Sequence, residues 1–208
     1  MTTKIDKPKS KFKKCSFNDP FIYVVDNALS KKFCKKVIKK FNDDDRKCKG
    51  VIGGRKSGGT KRNQKVKTSI DLCISQLPEW KNEDEVFYKS LTENYVKYCE
   101  RLPDLFFATV EQSLFDTGYQ IQRTEPGGYY IFHHDFEPDT VRYLTFIWYL
   151  NDIKNDGYTE FIDGTRIQPK AGRFLMFPST WTYIHRGYPP KDEVKYICTG
   201  WMSLNTGS

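Results

Sequence analysis

The three histidines of the chain fall in two short segments, His133-His134-Asp135 and His185, each in a stretch that reads as β-strand. Residues two apart on a strand point to the same face, so His133 and Asp135 can grip one ion while His185, on a later strand, supplies a third corner. Two imidazoles and one carboxylate on one face of an octahedral Fe(II) leave the other face open for substrate and dioxygen. His134 has the opposite parity and is expected to face away. The candidate catalytic and metal-ligating residues are therefore His133, Asp135 and His185.

A second group of residues suggests a pocket beside that ion. By parity, the stretch 143–150 has one apolar face, Leu144, Phe146, Trp148 and Leu150, and an opposite face of Tyr143, Thr145, Ile147 and Tyr149. Hydroxyls set among apolar groups suit a polar small molecule. On the last strand Lys195, Ile197, Thr199 and Trp201 share one face. A lysine pointing into a barrel needs a counter-charge, because desolvating an unpaired ammonium is costly, and a bound dicarboxylate would supply one.

Several elements must position these groups. From residue 119 onward the pattern is one of short strands separated by turn residues, at 119–123, 129–135, 143–150, 159–162, 166–168, 173–177, 182–185 and 195–202, a cadence that predicts a sandwich or jelly roll. Asn155-Asp156-Gly157 is read as a hairpin turn. Upstream, 21–25 reads as a strand. Ser30 then caps a helix carrying Phe33, Cys34, Val37, Ile38 and Phe41 on one stripe, with Leu29 placed to staple against Cys34. A second helix is read from Phe87, Leu91, Tyr95, Tyr98 and Leu102, stopped by Pro103. The glycine-rich, charged stretch 42–67 reads as a long loop able to act as a lid.

Composition narrows the class. A chain of 208 residues, 38% hydrophobic and 15% aromatic, can build one core. It has no apolar run near the ~20 residues of a membrane helix, and MTTKIDKPKSKFKK lacks the apolar centre of a signal peptide. A cytoplasmic protein without membrane contact is expected. Six scattered cysteines with no Cys-x-x-Cys pair argue for packed thiols rather than a disulfide scaffold or structural zinc. The net charge of +8 is concentrated in the N-terminal half. It is compatible with a polyanion or acidic protein partner, but no aromatic residue interleaves the basic loop 46–67, so a solvated loop and tail are preferred to a nucleic-acid platform. The expected organisation is a basic leader over 1–17 and a single domain over 18–208, with helical support at 18–116 and a jelly-roll core at 117–204.

Read in order, the chain carries Glu125-Pro126-Gly127 with Tyr130, His133-His134-Asp135, Arg142-Tyr143-Leu144-Thr145, Tyr149-Leu150-Asn151-Asp152, Gly157-Tyr158-Thr159-Glu160-Phe161, Pro169 to Gly172, Phe177, His185-Arg186-Gly187 with Pro189, Lys195-Tyr196 and Trp201. In this combination residues 117–202 resemble the prolyl 4-hydroxylase-like branch of the Fe(II)- and 2-oxoglutarate-dependent oxygenases, and 26–30 with the helix after it does so more loosely. The resemblance implies an α+β fold, a double-stranded β-helix (jelly roll) with N-terminal helices packed on the major sheet. It implies Fe(II) held by His133, Asp135 and His185, and 2-oxoglutarate as cosubstrate, its distal carboxylate bound by Lys195 with help from Tyr149. Thr145, Thr199 and Trp201 complete the expected cofactor-binding set, and ascorbate is the expected reductant. Two positions depart from the pattern. Thr124 stands where many relatives have a cosubstrate-binding tyrosine, and Asp156-Gly157-Tyr158 replaces the usual paired glycines.

The implied reaction is hydroxylation of a C–H bond with succinate and carbon dioxide as co-products, most naturally at a prolyl residue of a protein or peptide. The same chemistry on a nucleic acid, a free amino acid or another small molecule is the alternative. From other classes come a non-catalytic metal- or ligand-binding barrel, and a zinc- or manganese-dependent isomerase that needs no 2-oxoglutarate.

Overall fold

A computed structural model of the chain describes residues 19–51, 63–102, 114–136 and 141–205. The basic leader 1–17, and 52–62 within the glycine-rich loop, lie outside the described residues. The chain enters through β1 (Tyr23–Val25) and turns into α1 (Lys31–Asp43). That helix starts where it does because the Ser30 hydroxyl accepts the Phe33 N–H at 3.1 Å, satisfying one of the orphan donors of the first turn. Its apolar stripe, Cys34, Val37 and Phe41, is fully buried, with Leu29 buried just before it. A second helix, α2 (Lys81–Arg101), buries Phe87, Leu91, Tyr98 and Cys99 and ends two residues before Pro103. Glu83 of α2 is almost fully buried and pairs with Lys36, at 2.7 Å, and Lys40 of α1, which ties the helices together.

The remaining strands are β2 (Cys48–Lys49), β3 (Ile70–Cys73), β4 (Leu114–Asp116), β5 (Gln120–Thr124), β6 (Tyr130–His133), β7 (Arg142–Tyr149), β8 (Thr159–Phe161), β9 (Arg166–Ile167), β10 (Phe174–Pro178), β11 (His185–Gly187) and β12 (Lys195–Leu204). Among the described residues they form two antiparallel sheets. The larger runs β1-β10-β7-β12-β5-β3-β2, with β4 also pairing β12; the smaller runs β6-β11-β8-β9. From β5 to β8, and again from β9 to β12, successive strands alternate between the sheets, as in the jelly roll expected from the sequence. The period of two along β7 divides the core. Leu144, Phe146 and Trp148 face the helices and pack with Phe87, Trp80, Val37 and Phe41, while Ile147 and Tyr149 face inward with Phe161, Leu175 and Phe177. The helices also grip the sheet by hydrogen bonds: the Trp148 indole N–H donates to Ser90 Oγ at 3.0 Å, and that hydroxyl donates to the Ala28 carbonyl.

The fold differs from the sequence reading at several points, and strands β3 and β4 fall in the stretch read as helical support. Residues 181–183 form a 3-10 turn rather than the start of a strand, so β11 begins at His185. β6 stops at His133, and Asp135 lies beyond the ladder. Asp156 and Gly157 both have positive φ, 60° and 65°, as a tight primed turn requires. They join β7 of the large sheet to β8 of the small one, so the turn serves a crossover and not a hairpin. The stretch read as loop also contributes the short strand β2, which pairs with β3.

Candidate active site

The two imidazoles are brought together by strand pairing. β6 and β11 are antiparallel neighbours and His133 lies directly opposite His185, so the register of two strands, not either segment alone, sets their separation. The ring centroids are 4.4 Å apart. Asp135 completes the corner, with Oδ1 3.4 Å from His133 Nε2 and Oδ2 3.6 Å from His185 Nε2. Ligand atoms of all three lie within 4.8 Å of one another.

The donor set fits a divalent metal. His133 Nδ1 lies 2.8 Å from the Ile131 carbonyl and His185 Nδ1 3.0 Å from the Tyr183 carbonyl. A carbonyl can only accept, so each Nδ1 carries the proton and each Nε2 presents a lone pair toward Asp135. Burial, with the His133 imidazole beside it, pushes His185 down to about 4, which keeps it neutral. Burial alone would raise the Asp135 carboxyl, but positive charge at the site, whether a proton on His185 or His133 or a cation in their place, and the Thr145 hydroxyl outweigh it and hold the group well below the usual carboxylate range. A metal takes its ligands as imidazole nitrogen lone pairs and an ionised carboxylate, which is the donor set assembled here. Tyr130 stacks on the His133 ring at 3.6 Å and 17°, and Phe177 packs edge-on against His185 at 4.8 Å, so both rings are fixed in orientation. His134 is exposed, as its parity predicts.

A cleft opens from the triad between the sheets. Thr145, Lys195, Thr199 and Trp201 line it, as do Thr124 and Thr159. Lys195, opposite Thr124 in the β5–β12 ladder, is only 5% exposed. Its ammonium has no hydrogen bond or ion pair among the described residues, and sits 5.8 Å from the Tyr149 ring centroid. Burial lowers its pKa to about 8.

Tyr149 is buried behind the lining and donates its hydroxyl to Thr159 Oγ1 at 2.6 Å, so Thr159, which the sequence reading did not single out, stands between it and the cleft. Thr145 donates to Asp135 Oδ2 at 2.8 Å and thus touches the metal site as well as the cleft. Thr199 donates to the Phe146 carbonyl, and the Arg142 guanidinium stacks 3.6 Å over the Trp201 ring.

Further residues at the cleft were not legible in the sequence. Lys67 and Asp71 form a buried ion pair of 2.7 Å on one wall, with Ser69 donating to the same carboxylate. Tyr129, Tyr130 and Tyr188 line the cleft with Trp201. On the small sheet the buried Glu160 binds both Arg166 and Arg186, and the Arg186 guanidinium lies between the Phe132 and Tyr188 rings. The Lys67–Asp71 and Ser69–Asp71 contacts are local, but their place on the cleft wall, and the reach of Glu160 to Arg186, depend on how the strands pair.

Comparison with known proteins agrees with this geometry. Residues 119–203, which span the triad and Lys195, match the 2OG-Fe(II) oxygenase superfamily. Residues 119–203 are a 2OG-Fe(II) oxygenase domain. The chain is accordingly a 2-oxoglutarate-dependent dioxygenase, and its cofactors are Fe(II) and 2-oxoglutarate. No curated protein matches it by sequence. The fold is shared with solved structures of low identity. A viral collagen prolyl hydroxylase from Paramecium Bursaria Chlorella virus-1, in complex with 2OG, is 18% identical with TM-score 0.62, covering 89% of this chain and 97% of that one. A Trichoplax adhaerens prolyl hydroxylase in complex with a hypoxia inducible factor peptide fragment is 17% identical with TM-score 0.71, covering 88% and 84%. A Pseudomonas putida prolyl-4-hydroxylase is 16% identical with TM-score 0.63, covering 89% and 93%. No described helix is long and apolar enough to cross a membrane.

Proposed function

We propose that this oxygenase hydroxylates a prolyl residue in an extended segment of a protein or peptide. The observation that carries the reading is the aromatic lining of the cleft, where Tyr129, Tyr130, Tyr188 and Trp201 share the walls with the triad. Aromatic-lined grooves suit proline-containing chains, which keep an extended conformation at low entropic cost. The structural relatives described as prolyl hydroxylases support the same substrate class.

In this reading His133, Asp135 and His185 hold the iron through Nε2 atoms and one carboxylate oxygen. Bound Fe(II) with 2-oxoglutarate and dioxygen supplies the oxidising chemistry, oxidative decarboxylation to succinate coupled to hydroxylation. Lys195 pairs with the far carboxylate of the cosubstrate in a site largely closed to water, where a charge-assisted bond is strong. Thr159 accepts the Tyr149 proton and turns its own hydroxyl toward that carboxylate, so Tyr149 acts through Thr159. Thr199 and Trp201 shape the same pocket. The Phe161, Phe177 and Ile147 side chains exclude water from the inner wall. Residues 18–208 act as the single catalytic unit, in the cytoplasm, with ascorbate as reductant.

The test is succinate formation from 2-oxoglutarate with Fe(II), with and without a panel of proline-containing peptides, read together with the mass of each peptide. Peptide-stimulated succinate and a gain of one oxygen on proline is the expected result. Oxygen gained on an oligonucleotide or a free amino acid, with every peptide unmodified, overturns the prolyl assignment.

A further inference from the structure

The two histidines belong to the small sheet, whereas Asp135 follows the end of β6 and is held from the large sheet. Its backbone N–H donates to the Ser179 carbonyl at 3.2 Å, and the Phe136 N–H donates to the same oxygen at 2.8 Å. Ser179 sits just after β10, its own N–H bonded to the Tyr143 carbonyl. The side chain is held from the same place. Thr145 Oγ1 donates its one proton to Asp135 Oδ2 at 2.8 Å, so the 2.9 Å contact between Thr145 Oγ1 and Ser179 Oγ must have Ser179 as donor. Thr145 and Ser179 are each about 1% exposed.

We propose that Thr145, backed by Ser179, is a positioning residue that keeps Asp135 a one-oxygen ligand. This chain of hydroxyls runs from β10 through β7 to the carboxylate and fixes the third corner of the triad across the gap between the sheets. A donor on Oδ2 holds the carboxylate plane and occupies one lone pair of that oxygen, which stops both oxygens from closing on one ion. The coordination positions that a bidentate carboxylate would take stay open for the cosubstrate. Thr145, which its pocket-facing parity marks as a cofactor contact, thus acts on the metal through Asp135. The inference rests on the metal site and is independent of the prolyl substrate.

The test uses the full-length chain loaded with Co(II), whose visible absorption reports coordination, and Mn(II) titration for affinity, with neither turnover nor peptide present. Thr145→Val keeps the side-chain shape and removes the proton. It is expected to weaken Mn(II) binding on the order of 10- to 100-fold and to alter the Co(II) spectrum, as loss of an outer hydrogen bond to a ligand does. Thr145→Ser is expected to restore both. Ser179→Ala, which leaves the Thr145 contact in place, is expected to give a smaller loss in the same direction, and carries the test if Thr145→Val does not fold. Wild-type affinity and an unchanged Co(II) spectrum in a folded Thr145→Val protein, or in folded Ser179→Ala where the valine variant fails to fold, overturn the proposal. A purely structural role for the hydroxyls would lower the melting temperature without moving either readout.

Discussion

Replacing Lys195 by Met should stabilise the metal-free, cosubstrate-free protein while removing its response to 2-oxoglutarate. The magnitude follows from the position of the ammonium. It is buried, no carboxylate neutralises it among the described residues, and burial alone lowers its pKa from 10.5 to about 8. Converted at 1.36 kcal/mol per pKa unit, that depression amounts to about 3 kcal/mol of destabilisation while the group is protonated. The sign is that of a depressed cation. Below about pH 8 both folded and unfolded chains hold the proton and the penalty is complete. As pH rises from about 8 toward 10.5 the folded chain releases its proton first, so the penalty is relieved.

Lys195→Met fills the same space with an apolar stem and should gain up to about 3 kcal/mol near neutral pH, or roughly 6–12 °C in Tm for a chain of this size. The gain should shrink to about half near pH 9.5. Urea denaturation of both proteins across that window, each as the difference from wild type at the same pH, cancels the tyrosine titrations common to both. With Mn(II) present, 2-oxoglutarate should raise the melting temperature of wild type, because the dicarboxylate brings the missing counter-charge, and should hardly move that of Lys195→Met. A variant that is less stable than wild type at neutral pH, with a pH-independent difference, refutes the idea that Lys195 is an unpaired buried cation awaiting a diacid.

His185→Ala should abolish tight Mn(II) binding with the fold intact, read by titration alongside circular dichroism, since the two remaining ligands cannot define a facial site. Asp71→Ala leaves the Lys67 ammonium buried without its carboxylate and should lose about 3 kcal/mol in denaturant unfolding, with Asp71→Asn losing less. Gly172→Ala should be destabilised by more than about 1 kcal/mol in thermal melts. Its φ is +82° and a Cβ there would lie 2.1 Å from the Leu29 carbonyl oxygen, so neither the backbone nor the neighbour can yield cheaply.

The parity of residues along a strand and their spacing along a helix are local properties, and they were legible in the chain. They assigned Leu144, Phe146 and Trp148 to the helix-packed side of β7, placed Lys195, Thr199 and Trp201 together on one face, turned His134 outward, and put Ser30 at the cap of α1. The three candidate ligands were named from residue type and order, as the histidine-rich segment with its nearby aspartate and the one remaining histidine, and the structure brings their ligand atoms together. Parity along one strand was the wrong cause for Asp135, however, because β6 ends at His133 and the carboxylate is placed by Ser179 and Thr145 of the other sheet. The opposition of His133 to His185, the Lys67–Asp71 wall, the Glu160 clamp and the screening of Tyr149 by Thr159 were likewise set only in three dimensions. Where each lies relative to the cleft depends on the register between strands, even for Lys67 and Asp71, which are only four residues apart. Register is chosen by burial of the whole sheet at once, so it leaves no mark on any one segment.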